Sequence, residues 1–402
     1  MCREHQEDQP ALPGPGLAEI FREHAVGLPT LSQDQRKAVR AIMACRTAAQ
    51  GSHTSQCSQC GHEETAFNSC WNRNCPKCQG MRQARWLEAR EAELLPVAYF
   101  HTVFTAPHVL HPFFHLAPHL SYGILMSAAA EALQQAALNP KRLGARIGFM
   151  AILHTWTQQL LYHPHVHCVI PGGGLSADGS QWIASKSRYF LPVKVLSKMF
   201  RGILLHRLES ALKAGAFALN EKAGMDLLRQ AARKNWMVYC KPPFHGPGQV
   251  LKYLSRYTHK IAISNSRILS FKDGVVTFRY RDRADGNRPK TVSLGAMEFL
   301  MRFLLHIVPS GFTRIRYFGF LANGAKASLL PVCRDLLPSE GFPEYGDHEP
   351  NNRDGSWAGL FSTLFGSFFR PCPSCKTGML VLASFQPPAR QPWSLPGKAT
   401  SS

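Results

Sequence analysis

The sequence predicts an α+β fold in which a small cysteine-rich domain precedes a larger domain that mixes strands and helices. Two C-x2-C pairs stand close together near the N-terminus, in a polar stretch with few apolar residues. From residue 97 onward, segments that alternate apolar and polar residues are mixed with segments of helical periodicity. The first four of these follow the order strand, helix, strand, strand, which is typical of an α+β arrangement.

The elements of the larger domain follow from these patterns in chain order. The predicted helices lie at 82–96, 121–138, 194–215, 247–262 and 296–308. The predicted strands lie at 97–107, 145–156, a histidine-rich stretch near 165–171, 188–193 and 236–243, with a hairpin at 267–282 that turns at Lys272-Asp273-Gly274. Four regions result: a flexible N-terminus (1–30), the cysteine-rich domain (31–92), the strand-and-helix domain (93–325) and a loosely ordered tail (326–402).

The charge of the 402-residue chain indicates a polyanionic partner. Forty-six Lys and Arg stand against 26 Asp and Glu, which leaves a net charge of +20. This balance favours nucleic acid or an anionic membrane surface. The strongest apolar run, 297–309, is interrupted by Arg302 and His306, and the N-terminus lacks the apolar region of a signal peptide. We therefore expect a soluble cytoplasmic protein with no membrane-spanning segment.

The cysteines predict a zinc site. The motif C-x2-C-x14-C-x2-C comprises Cys57, Cys60, Cys75 and Cys78, and four thiolates at these spacings form a tetrahedral shell for structural zinc. It follows a predicted helix at 32–50, for which Ser32 is the N-cap. Cys70 lies between the pairs and His53 and His62 are close by, so the ligand set can differ by one member. The tail contains a further pair, CPSC (372–375), which can bind a second ion with a distant partner such as Cys333.

The stretch "LLYHPHVHCVIPGGG" beginning at residue 160 predicts a second metal site. In a strand, alternate residues point to one face, so His165 and His167 project side by side. Two imidazoles on one face can hold one divalent cation. Because Pro164 is unfavourable inside a central strand, we expect the strand to begin near His165. Gly172–Gly174 end it.

The predicted helix 247–262 has two tyrosines on one face. Tyr253 and Tyr257 are four residues apart, and Gln249 lies one turn earlier, where it is a candidate third metal ligand. A neighbouring basic stripe comprises Lys252, Arg256 and Lys260. This helix lies within residues 229–290, which contain 14 Lys and Arg but only three Asp, interleaved with aromatic residues. Basic side chains follow phosphates and aromatic rings stack on unpaired bases, which predicts binding of single-stranded DNA.

Together these features fit one reaction. A divalent cation held by the histidines polarises a phosphate, and a tyrosine hydroxyl attacks the phosphorus. The products are a phosphotyrosine and a free 3′-hydroxyl, so rejoining needs no ATP, in agreement with the lack of a GxxxxGK[ST] loop in the sequence. Two tyrosines allow two successive strand transfers.

The chain resembles the two-tyrosine HUH rolling-circle transposases of the ISCR type. The matching stretches follow the family's order over about residues 30–325, and they are "SCWNRNCPKCQ", "LHTWTQQLLYHPHVHCVIPGGGLS", "YFLPVKVLSKMFRG", "KPPFHGPGQVLKYLSRYTHKIAISNSRI", "VTFRYRDRADGNRPKTVSL" and "EFLMRFLLHIVPSGFTRIRYFGFLAN". Two positions depart from the family pattern, since Trp71 and Asn74 stand where arginine and histidine are expected.

The resemblance implies a catalytic domain with a central antiparallel sheet flanked by helices, preceded by a zinc-binding domain. It implies that His165-Val166-His167 is the HUH motif, which binds Mg²⁺ or Mn²⁺, and that Tyr253 and Tyr257 are the nucleophiles. The implied activity is cleavage and rejoining of single-stranded DNA at the ends of a mobile element, through a 5′-phosphotyrosine, in a bacterial host where the DNA-bound protein is nucleoid-associated. His163 is left over, to stack on DNA or to support a ligand.

Three other functions remain open from the residues. A replication initiator or relaxase would use the same chemistry, and a non-catalytic zinc-containing regulator would use only the DNA-binding surface. A zinc metallohydrolase would need three ligands and a base, and the sequence has no HExxH motif.

Overall fold

The computed structural model describes residues 15–78, 83, 86–87, 89–186, 190–244, 250, 261–282, 285–337 and 371–387. Within these, the helices are α1 (Leu17–His24), α2 (Gln33–Ala44), α3 (His111–Leu116), α4 (Pro118–Leu138), α5 (Val193–Lys213), α6 (Glu221–Ala232), α7 (Ala296–Leu304) and α8 (Lys326–Asp335). The strands are β1 (Ser52–Cys57), β2 (Glu63–Phe67), β3 (Tyr99–Thr105), β4 (Phe149–Trp156), β5 (Tyr162–Pro171), β6 (Gly173–Leu175), β7 (Trp182–Ala184), β8 (Val238–Phe244), β9 (Ile268–Lys272), β10 (Val275–Asp282), β11 (Arg288–Gly295), β12 (Ile315–Phe318) and β13 (Leu380–Gln386).

The histidine-rich strand lies at the centre of the largest sheet. The five strands have the order β12-β4-β5-β3-β8, and every pairing is antiparallel. An antiparallel sheet flanked by helices confirms the predicted α+β fold. The central position means that both edges of β5 are hydrogen-bonded, which holds its side chains in a fixed register.

The two faces of this sheet differ in character. One face presents residues such as Phe104, Val166 and Ile170 to helices α4 and α5, and together they form the largest buried cluster. The alternating apolar residues of the strands and the apolar stripes of the helices explain this packing. The opposite face carries His165 and His167 beside a smaller apolar cluster. The helices therefore support the sheet from behind, and the histidines lie on the other side.

Strand β5 begins earlier than expected, at Tyr162 rather than near His165. Pro164 is tolerated because the ladder is irregular there. On β4, the pair His154–His165 is followed by Trp156–Tyr162, so that His163 and Pro164 both lie opposite the single Thr155. A bulge of this kind leaves one residue without a ladder hydrogen bond, and the missing N–H of proline then costs little.

The N-terminal residues are more ordered than expected. Within the region 1–30, for which we expected flexibility, helix α1 buries Leu17, Ile20 and Phe21 completely. Helix α2 begins as predicted, with Ser32 accepting a hydrogen bond from the Gln35 backbone N–H in a capping box. Both helices pack against a second sheet of order β11-β10-β9 and against α7.

Several elements differ from the sequence prediction. The hairpin turning at Asp273-Gly274 is present, but a third strand, β11, extends it. Helix α6 was not predicted, and no strand occurs at residues 190–192. The predicted helix 247–262 lies mostly outside the described residues. Across the part of the chain that the structure describes, no helix is both long and apolar enough to cross a membrane.

His306, between α7 and the β4–β5 turn, is expected to make stability depend on pH. Burial lowers the pKa of His306 to about 4, while its imidazole contacts the Thr155 hydroxyl and the Leu160 carbonyl. Between this pKa and the unfolded value of 6.5 the unfolded state binds more protons, so stability falls as pH falls. The linkage relation gives a loss of about 2 kcal/mol from this group between pH 7 and pH 5.

Urea unfolding at the two pH values checks this contribution. His306→Gln keeps an N–H near the Leu160 carbonyl but does not titrate, so the variant should lose about 2 kcal/mol less than the wild type over the same interval. An equal loss in both proteins would contradict the assignment.

Candidate functional site

Three histidines from two adjacent strands meet on the face of the central sheet opposite α4 and α5. His165 and His167 lie on β5, and His154 lies directly opposite His165 on β4. One ring nitrogen from each lies within 4.8 Å of the others. His154 and His167 are buried, with exposed fractions of 4% and 3%, and His165 is half-buried. The structure thus brings together the two predicted ligands and adds His154, which the sequence analysis missed.

Hydrogen bonds at Nδ1 orient the two predicted ligands. His165 Nδ1 lies 2.6 Å from the backbone carbonyl oxygen of His163, to which its N–H donates. His167 Nδ1 lies 2.8 Å from Nε2 of His101 on β3. When His167 donates its Nδ1–H to His101, both His165 and His167 keep an unprotonated Nε2 for a metal. A hydrogen bond from the ring nitrogen that does not bind the metal commonly fixes the tautomer of a metal-binding histidine.

This donor set fits a divalent cation. Three neutral imidazoles on one side of an ion leave its remaining positions open for water or phosphate oxygens. His154 is held in place by stacking on Trp156, with ring centroids 4.6 Å apart and planes 19° from parallel.

The predicted tyrosines and their neighbours lie outside the described residues. This applies to Tyr253 and Tyr257, to the candidate ligand Gln249, and to the basic stripe Lys252, Arg256 and Lys260. The two ends of the segment are described, however. Val250 is fully buried in the apolar cluster on the histidine-bearing face, and Ala262 helps to line a small cavity with Trp156, the residue on which His154 stacks.

Val250 and Ala262, described residues on either side of residues 251–260, thus lie on or near the histidine-bearing face. His163, in contrast, is not a member of the three-histidine group among the described residues, although its ring centroid lies 5.2 Å from that of His165.

The structure corrects the predicted zinc site. Cys57, Cys60, Cys75 and Cys78 do not form one cluster, because each C-x2-C pair meets different partners. Cys75 and Cys78 group with Cys45 and Cys70, whereas Cys57 and Cys60 group with the CPSC cysteines, Cys372 and Cys375. Sequence spacing suggested that neighbouring pairs share one ion, but the β1–β2 hairpin separates them. Cys333 lies on α8 and is buried in a separate apolar cluster.

The four sulfurs of Cys45, Cys70, Cys75 and Cys78 lie within 4.8 Å of one another, close enough to share one ion. Cys45 caps the C-terminus of α2, and its sulfur lies 3.1 Å from that of Cys78, which is 3.6 Å from that of Cys70. Zinc–sulfur bonds of 2.3 Å imply sulfur–sulfur distances of about 3.8 Å. Thiol contacts within the cluster lower the pKa of Cys78 and lower that of Cys45 to about 7, and they raise the pKa of Cys70 and Cys75, so the case for a metal site rests on the grouping of the four sulfurs.

Loss of this cluster is expected to remove one zinc ion. Cys75→Ser/Cys78→Ser takes away two of four ligands, and the remaining pair cannot close a tetrahedral shell. Metal analysis of the purified protein should show one zinc per chain fewer than in the wild type. Cys168→Ser, a change at a buried cysteine of β5 outside the clusters, serves as the control and should keep the full content. Unchanged zinc in the double variant would refute the site.

Two family models match the chain in the regions that carry these sites. A model described as "Putative transposase" matches residues 148–328, which include the three histidines and both tyrosines. A model described as "Transposase zinc-binding domain" matches residues 18–106, which include the cluster of Cys45, Cys70, Cys75 and Cys78.

Similar proteins agree with these matches. A protein of Sinorhizobium fredii, "Putative transposase y4qJ", is 46% identical over 381 residues, covering 92% of this chain and 94% of its own length. The "Transposase for insertion sequence element IS801" of Pseudomonas savastanoi pv. phaseolicola is 32% identical over 306 residues, 74% of this chain and 73% of its own. The chain belongs to the IS91/IS801 family of insertion-sequence transposases. The resemblance seen in the sequence is confirmed, and with it the expectation that the partner is DNA.

No solved structure matches the chain. The three-histidine group and the cysteine clusters of this transposase are therefore described from its own structure alone.

Proposed function

We propose that this transposase cuts and rejoins single-stranded DNA at the ends of its element through a 5′-phosphotyrosine intermediate, in rolling-circle transposition. His165, His167 and His154 hold Mg²⁺ or Mn²⁺, and Tyr253 and Tyr257 are the nucleophiles. The observation that carries the proposal is the meeting of three histidines on one face of an antiparallel sheet, two of them on its central strand. The buried Val250 on that face supports the placement of the tyrosines, because Tyr253 follows three residues later.

The residues have separable roles in this reaction. The tyrosine hydroxyl, with an ordinary pKa of about 10, must lose its proton as its oxygen attacks the phosphorus. The new bond joins the tyrosine oxygen to the 5′-phosphate while the 3′-oxygen leaves and takes up a proton. The divalent cation supplies charge stabilisation on the phosphate oxygens. Lys252, Arg256 and Lys260 hold the DNA backbone, and their charge favours the phenolate.

Rejoining is the reverse attack. A free 3′-hydroxyl attacks the phosphotyrosine, so the phosphodiester bond energy is conserved and no nucleotide cofactor is consumed. Two tyrosines permit one strand end to remain attached while the second is cut. This role explains why the chain has two such residues four positions apart rather than one.

Incubation with labelled single strands that carry the two ends of the encoding element tests the proposal. With Mn²⁺ or Mg²⁺ we expect a covalent protein–DNA adduct on a denaturing gel and, on longer incubation, a joined product linking the two ends. DNA binding without an adduct would instead indicate a non-catalytic regulator. An adduct on a replication origin or transfer origin, but not on element ends, would indicate an initiator or relaxase.

Binding to single-stranded DNA is expected to depend strongly on salt. Each phosphate neutralised by Lys or Arg contributes a slope of roughly −0.7 to the logarithm of affinity against the logarithm of salt concentration. Arg279 and Arg281 are exposed on β10, and the backbone N–H of Arg281 lies 3.5 Å from the side-chain oxygen of Gln158, in the turn that joins the histidine-bearing strands β4 and β5.

Arg279→Gln/Arg281→Gln should therefore reduce the steepness of this slope by up to about 1.4. Lys222→Gln, at an exposed position on α6, is the matched control and should leave the slope unchanged. Fluorescence anisotropy over a salt series measures both. Equal slopes for the double variant and the wild type would show that β10 does not face DNA.

A further inference from the structure

The last described segment, residues 371–387, returns to the N-terminal domain. Strand β13 pairs with β1 at six positions, from Ser52–Gln386 to Cys57–Leu380, and forms the edge of a sheet of order β13-β1-β2. The loop that precedes it contains Cys372 and Cys375, and the turn that follows β1 contains Cys60. Two C-x2-C turns from opposite ends of the chain therefore face each other.

The sulfur positions fit a tetrahedral metal site rather than disulfides. Cys57 lies 3.7 Å from Cys375, and Cys60 lies 3.6 Å from Cys372, measured between sulfur atoms. All four sulfurs lie within 4.8 Å of one another. The two pair distances match the value of about 3.8 Å for a tetrahedral zinc site and exceed the disulfide bond length of about 2.05 Å.

Backbone N–H groups in both turns point at the sulfurs. The N–H groups of Gln59 and Cys60 donate to the Cys57 sulfur at 3.4 and 3.5 Å. The N–H of Gly378 donates to the Cys375 sulfur at 3.2 Å. Hydrogen bonds of this kind stabilise the negatively charged thiolate, the form that binds zinc.

Gly378 permits the two turns to approach. A Cβ atom at this position would lie 2.4 Å from the Cys57 sulfur, a distance that real side chains do not adopt. The glycine is thus required for close approach of the C-terminal turn to the N-terminal one.

The side chains of β13 bury too little apolar surface to hold residues 371–387 against the N-terminal domain by themselves. Val381, Leu382 and Phe385 on β13 are 52%, 66% and 62% exposed, whereas Cys372 is 1% exposed. In small domains with so little apolar core, metal binding supplies the folding free energy.

We infer that Cys57, Cys60, Cys372 and Cys375 bind a second structural zinc ion, which fastens the C-terminal segment onto the N-terminal domain. Two of its ligands lie outside both family matches, which end at residues 106 and 328. The catalytic domain lies between the two halves of this site in the chain. The inference is independent of the DNA chemistry.

Metal analysis of the full-length protein, purified under reducing conditions, tests this site. We expect two zinc ions per chain in the wild type and one in either Cys57→Ser/Cys60→Ser or Cys372→Ser/Cys375→Ser. Cys333→Ser, at a buried cysteine of α8 in an apolar cluster, is the control and should keep two zinc ions. Two zinc ions in the Cys372→Ser/Cys375→Ser protein would overturn the site, as would one in the wild type.

Alkylation followed by mass spectrometry shows whether the two turns depend on each other. Cys372 and Cys375 should be protected in the wild type and should react in Cys57→Ser/Cys60→Ser, while Cys70 stays protected in the other cluster. Continued protection of Cys372 and Cys375 would overturn the site. A wild-type intact mass lower by four hydrogens, without a second zinc ion, would show disulfides instead.

Gly378→Ala keeps every cysteine. If the serine variants lose both zinc ions, this variant still tests whether the two turns share one of them. We expect one of the two zinc ions to pass from this variant to a competing chelator about tenfold faster, or more, than from the wild type. If the Gly378→Ala protein releases both ions at the wild-type rate, the inference is contradicted.

Discussion

Alanine in place of both His165 and His167 is expected to abolish cleavage of single-stranded DNA while leaving most of the binding affinity. The imidazoles are the proposed ligands of the cation, and a cation at a scissile phosphate supplies several kcal/mol of transition-state stabilisation. Since each 1.36 kcal/mol corresponds to a factor of ten, the rate should fall by about a thousandfold or more. Binding should persist because the basic residues supply it.

His154→Ala tests the ligand that the structure adds to the His165-Val166-His167 motif. If His154 completes the ligand set, its loss should lower the affinity for Mn²⁺, and high Mn²⁺ should restore part of the cleavage rate. His163→Ala is the matched control, because His163 lies on the same strand but is not a member of the three-histidine group, and its hydrogen bond to His165 is made by its backbone carbonyl. Cleavage that survives in the double variant, or in excess chelator, would remove the metal site from the mechanism.

The double substitution Tyr253→Phe/Tyr257→Phe is expected to eliminate the covalent adduct. Phenylalanine keeps the aromatic ring and removes only the attacking hydroxyl, so DNA affinity and zinc content should remain at the wild-type level. Cleavage should fall below detection, because no other group is proposed to attack the phosphorus. Denaturing gels with end-labelled DNA measure the adduct directly.

Single tyrosine variants show whether the two tyrosines act in turn, one for each strand transfer, or whether either one can serve both. If each tyrosine serves one strand transfer, either single variant should form an adduct but fail to join the two ends. Tyr239→Phe, at an exposed tyrosine of β8 in the same basic segment, is the control and should behave as the wild type. Full end joining by either single variant would show that one nucleophile is enough.

Local patterns predicted the parts of the site that lie on one strand. The alternation of His165 and His167 required only the two-residue period of a strand. His154 was missed because it lies on a different strand, so its place opposite His165 depends on the pairing register of β4 and β5. The bulge at His163 and Pro164 shifts the register by one residue, and no sequence rule applied here locates such a bulge.

The zinc sites show the same limit at longer range. The cysteine motif correctly indicated metal binding, and Cys70 was noted as an alternative ligand. The partners of Cys57 and Cys60 lie more than 300 residues away, beyond any argument from spacing. Helix α1 was likewise not anticipated, because its short apolar stripe becomes buried only when α7 and the second sheet are in place.

The residue that carries the DNA tests the central claim most directly. Protein trapped on a single strand from an element end, in the presence of Mn²⁺, is digested with protease and nuclease, and the peptide that retains a nucleotide is sequenced by mass spectrometry. We expect the 5′-phosphate on Tyr253 or Tyr257. Attachment to another tyrosine, to a serine or to a histidine would contradict the mechanism.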